Sequence, residues 1–131
     1  MFGLKPLPVI LATVAFYFVG FLWYGLIFSE VWMAGHGVSE EDAGSPLWMI
    51  GGFILTFMQV IGLGLILKWR NGSGVGAALQ TAGLLWLLLA LPFTLYDYVY
   101  LPGHNFTLLL VDASHLLVGW VVAAIILAVM K

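Results

Sequence analysis

Asp112 and His115 stand three residues apart in a mostly apolar run, and no other pair in the chain is better placed for proton chemistry. On a helix, positions i and i+3 share a face, so the carboxylate can accept from an imidazole N–H, fix its tautomer and favour the charged ring. Tyr17 and Gln59 fall at similar depth on neighbouring helices, with Thr94 and Asp97 nearer the outer surface, so a buried polar network around His115 is geometrically available. A proton relay would use Asp112 and His115 as titrating sites and Asp97 as part of an entrance. A metal site is a second reading, because His36, His104 and His115 with Asp112 form a donor set that zinc accepts. Their spacing matches no compact ligand motif, however, and His115 lies deep for two loop histidines to reach. Haem ligation by His115, with Trp86 and Trp120 near mid-membrane, is a variant of that reading, and no particular cofactor follows from the sequence. The plain alternative is an Asp–His pair, satisfied by hydrogen bonding, that only sets helix register.

Covalent catalysis has less to stand on. Ser114 adjoins His115 in sequence but points about 100° away around the helix, which is no nucleophile–base pair. Walker-type and dinucleotide-type glycine fingerprints are missing, and Gly72-Ser73-Gly74-Val75-Gly76 reads as a turn into a helix start. No catalytic site is expected.

Such residues are informative only if lipid surrounds them, and the composition requires that it does. Apolar residues make up 63% of the 131 and charged residues 8%, far from the roughly 25% charged of a soluble domain. Clustered Lys and Arg are absent and the formal charge is -2, so nucleic acid is not a partner. There is no cysteine, hence no disulfide framework and no thiolate site.

Four runs reach the roughly 20 apolar residues that a spanning helix needs: about 8–28, 47–67, 75–96 and 107–130. The first is too long and aromatic for a cleaved signal peptide. In the third, Pro92 removes a backbone donor and should kink or end the regular helix. Counting down from Thr107, Asp112 lies roughly 7–8 Å and His115 roughly 12 Å inside a core about 30 Å thick.

All four cationic side chains, Lys5, Lys68, Arg70 and Lys131, fall at the same ends of these runs, and the other connections carry Glu30, Glu40, Glu41, Asp42 and Asp97 instead. That bias sets orientation in multi-spanning proteins and places both termini inside. Trp23, Tyr24, Phe28, Trp32, Trp48, Tyr96, Tyr98 and Tyr100 gather at the outer ends as an aromatic belt. The outer connection from Ser29 to Pro46 reads as a solvated acidic loop, in which Ser39 and Asp42 can cap a short surface helix.

Each span carries a stripe of small and polar residues at helical spacing: Thr13, Tyr17, Gly20 and Tyr24; Gly52, Thr56, Gln59 and Gly62; Gly76, Gln80, Gly83, Leu87, Ala90, Thr94 and Asp97; Asp112, His115, Gly119 and Ala123. Small residues let helices approach and amides bond across the contact, so all four stripes are expected to face inward.

The run Gly20-Phe21-Leu22-Trp23-Tyr24-Gly25-Leu26-Ile27-Phe28, followed by Trp32, resembles the bacterial family called domain of unknown function 1761, as does the pattern Asp112, His115 and Gly119. The resemblance implies a small four-span architecture over nearly the whole chain and a place in the cell membrane. It carries over no activity, substrate or catalytic residue.

The reading is thus an all-α, integral membrane four-helix transmembrane bundle, one domain over residues 1–131, in the cytoplasmic membrane with both termini cytoplasmic. It is a non-catalytic membrane module or complex subunit whose partners are the lipid bilayer and a second copy or another membrane protein. The alternatives are a small transporter or proton-conducting protein using Asp112 and His115, and a metal- or haem-binding membrane protein.

Overall fold

A computed structural model of the protein describes residues 3–28, 30, 46–70, 74–100 and 106–130, the side chains of Trp48 and Asp97 excepted. The described residues are helical almost throughout. The first span is α1 (Pro6–Gly20) running directly into a π-helical segment, Phe21–Ile27. Prolines at its opening positions cost little, since those N–H groups have no intrahelical partner. The second span is α2 (Pro46–Arg70). The third is composite: α3 (Gly74–Leu85), a π-helical segment Trp86–Ala90, and α4 (Leu91–Tyr100). Gly74 opens it at φ 89°, a conformation that a side chain would strain. The fourth span is α5 (Phe106–Val129). Among the described residues, four helices are long and apolar enough to cross a membrane.

Where Pro92 is expected to kink or end the regular helix, the α winding is interrupted at Trp86–Ala90 and the span continues to Tyr100. Pro92 has no N–H and its ring crowds the carbonyl four residues back, so an unbroken α-helix is unfavourable there. The helix answers by widening one turn earlier: the Leu91 N–H reaches back five residues to the Trp86 carbonyl, and α geometry resumes at once. The first span widens similarly, with the Phe28 N–H bonded to the Trp23 carbonyl at 2.8 Å.

α5 packs along α1 and α3, α2 leans on α1, and α2 and α3 meet only briefly. All four spans feed one core, in which Phe16 and Val9 of α1 meet Val60 and Leu63 of α2, Ala78 and Ala82 of α3, and Ala123 and Ala124 of α5. Alanines on α3 and α5 let those helices close tightly. At the basic end Arg70 bonds the Ala77 carbonyl and the Thr81 hydroxyl at 2.6 Å each and the Gln80 amide oxygen at 2.5 Å, clasping the end of α2 to the start of α3.

The inward orientation holds for the stripes on the first and fourth spans, where Thr13, Gly119 and Ala123 are buried. On the third span it does not. Gly76, Gln80 and Leu87 are exposed, and the buried residues are Ala78, Thr81 and Ala82, with Ala90 alone of the expected stripe buried among the described residues. A glycine-rich spacing marks a close approach without saying to which neighbour, and here the methyl-bearing residues took the side facing α5.

Candidate functional site: the Asp112–His115 segment

Three aromatic side chains from the first and third spans converge on one turn of α5. Asp112, which the sequence places below the headgroup layer, accepts a hydrogen bond of 2.7 Å from the Tyr24 hydroxyl. Ser114 Oγ accepts from the Trp23 indole N–H at 2.9 Å and donates to the Val111 carbonyl at 3.0 Å, so this hydroxyl is engaged on both sides. The Ala113 carbonyl accepts from the Trp86 indole at 2.8 Å. All three aromatic donors sit on the two π-helical segments, Trp23 and Tyr24 on the first and Trp86 on the second.

The π winding explains how neighbouring residues reach one partner helix. An α-helix advances about 100° per residue, whereas an i→i+5 turn is wider and advances less. Trp23 and Tyr24 therefore splay less and both address α5. The same lag moves Tyr24 off the line of Tyr17, seven residues earlier, and onto the line of Phe16 and Gly20.

That line forms a slot for His115. Its ring lies 4.8 Å from the Tyr24 ring at 64° and 5.5 Å from the Phe16 ring at 49°. Its Nε2 lies so near Gly20 that a Cβ there would stand 3.2 Å away. One turn deeper, Phe16 lies across Gly119 so closely that any Cβ at that position would overlap its ring.

Of the expected network, Asp112 and His115 do lie together, each half-buried. The carboxylate–imidazole hydrogen bond that their spacing allows is not formed among the described residues; Tyr24 serves Asp112 and aromatic faces enclose His115. The other expected members lie elsewhere. Tyr17 donates to the Met49 carbonyl at 3.0 Å and packs edge-on against Phe53, joining the first and second spans. Gln59 accepts from the Trp120 indole at 2.9 Å. Thr94 donates to the Ala90 carbonyl of its own helix at 2.8 Å. The Asp97 side chain, His36 and His104 lie outside the described residues, which among themselves contain no group of three His, Cys, Asp or Glu able to hold a metal ion.

Trp23, Trp86, Ser114 and Phe16 went unassigned to the site from sequence. The two indoles read as belt or cofactor neighbours, and only the π segments, which leave no sequence signature beyond Pro92, turn them toward α5.

Residues 7–128 match the family described as Protein of unknown function (DUF1761), and the chain belongs to that family. No curated protein and no solved structure matches it.

Proposed function

We infer that the protein is a non-catalytic membrane module that works as a subunit of an assembly, most simply with a second copy of itself. The observation that carries this is the outward face of α3. A Cβ at Gly76 or Gly83 would have nothing within 4 Å, and Gln80 is exposed between them. Two missing side chains leave a shallow groove beside an exposed amide, which suits a close helix neighbour better than lipid tails. Within the chain the aromatic donors join spans to one another, as expected of groups that fix a scaffold.

On this reading the cytoplasmic membrane holds the protein with Lys5, Lys68, Arg70 and both termini on the cytoplasmic side, following the positive-inside bias. Gly76→Leu and Gly83→Leu would each fill open space, so the fold should persist while association is lost. Native mass spectrometry from mild detergent tests it: a wild-type oligomer and monomeric variants support the reading, and a strictly monomeric wild type, or variants that still assemble, refute it.

The proximity of Tyr24, Asp112 and His115 favours one second reading, a proton-conducting protein that uses the carboxylate and imidazole. Abolition of a pH-driven flux in vesicles by Asp112→Asn and His115→Gln, with the fold intact, would establish it. Absence of any such flux in the wild-type protein would remove it.

A further inference from the structure

At the basic end a cavity of about 260 Å³ opens between the ends of all four spans. Its walls are apolar, from Leu4 and Pro8 at the start of the first span, Leu67 on α2 and Leu127 on α5, and two ammonium groups, Lys5 and Lys68, stand on its rim. No acidic side chain among the described residues lines it. Among the described residues neither lysine is held in an ion pair. Gly64 contributes no side chain to the wall, and Leu4 lies over the space this leaves. The cavity is partly open, and Leu7 and Leu11 on α1 and Val75 on α3 are exposed.

Two helix starts and two helix ends meet here, so their partial charges largely cancel and the lysines decide the sign. An apolar recess beneath two cations fits an amphiphile with an anionic head. The volume falls below the roughly 300–1,000 Å³ of sites that enclose a whole drug-sized molecule. Only part of the ligand would enter, the remainder lying along the open helix faces as lipid does.

The geometry points to a binding site for one anionic phospholipid, with its phosphate between Lys5 and Lys68 and the upper part of an acyl chain in the cavity. Basic pockets between spans on the cytoplasmic side suit such head groups, and two cations near the surface give a preference of roughly ten- to thirty-fold over a zwitterionic lipid. Arg70 provides the control, because it is a cation at the same end whose guanidinium is occupied by Ala77, Gln80 and Thr81 and which does not line the cavity.

The test is native mass spectrometry of the full chain from mixed micelles of phosphatidylglycerol and phosphatidylcholine, with inorganic phosphate as a separate probe. One retained phosphatidylglycerol is expected per chain, with preference falling to near unity in Lys5→Gln/Lys68→Gln and persisting in Arg70→Gln. Phosphate alone should neither bind nor displace it. Equal retention of both lipids by the wild type would overturn the proposal. So would an equal loss in Arg70→Gln, which would mean diffuse charge, or displacement by phosphate, which would mean a free-anion site. Retained helicity by circular dichroism guards against a folding artefact, because all three substitutions are at exposed positions.

Discussion

Phe16 lies directly over Gly119, and the closeness of that contact predicts a steep penalty for one methyl group. Gly119→Ala would drive Cβ into the Phe16 ring, and overpacking of this kind costs about 1–3 kcal/mol. Unfolding followed in a denaturing-detergent titration should show that loss, and Phe16→Leu in the same background should restore part of it. Tyr24→Phe is expected to cost less, about 0.6 kcal/mol, the average for interhelical hydrogen bonds in membranes. A neutral Gly119→Ala would contradict the described packing. At this scale the sequence disclosed which groups mattered more readily than whom they touch. Asp112 and His115 stood out because ionisable groups in apolar runs are rare, but depth and spacing do not specify a helix's rotation. Depth and spacing therefore point to Tyr17 for the place that Tyr24 occupies.

The two π-helical segments are the parts of the elements that sequence periodicity could not reveal. An amphipathic pattern assumes one angular step throughout, and a change of winding in Phe21–Ile27 or Trp86–Ala90 shifts every later residue's face. Pro92 gave warning that the third span could not be regular, without saying that a widened turn would absorb the strain. If that widening aims Trp86 at the Ala113 carbonyl, Pro92→Ala and Trp86→Phe should not be additive. A double-mutant cycle should give a coupling of about 0.5–1 kcal/mol, because residues that act through one shared contact fail additivity. Additive effects would show that the indole's bond does not depend on the proline. The outward stripe on α3 has the same lesson: glycine and glutamine spacing located a face of the third span, and the packing of Ala78 and Ala82 on the other side decided that Gly76 and Gln80 would face outward.

For the whole molecule, composition and the lengths of the apolar runs were decisive, because so much exposed apolar surface has no place in water. Leu47, Leu88 and Phe93 remain 75%, 65% and 70% exposed, which only lipid or a partner helix can satisfy. The described cations Lys5, Lys68 and Arg70 sit at one end of the bundle, as their positions at the run ends required. The absence of cysteine makes the arrangement open to direct measurement, since a single introduced thiol reports without background. Ser39→Cys in the long acidic connection and Ser73→Cys in the short basic one differ from the native residues by one atom each. Labelling of intact cells with a membrane-impermeant maleimide is predicted to modify Ser39→Cys at once and Ser73→Cys only after the membrane is permeabilised. Reaction of both thiols in intact cells, or of Ser73→Cys alone, would contradict a four-span protein with its basic end in the cytoplasm.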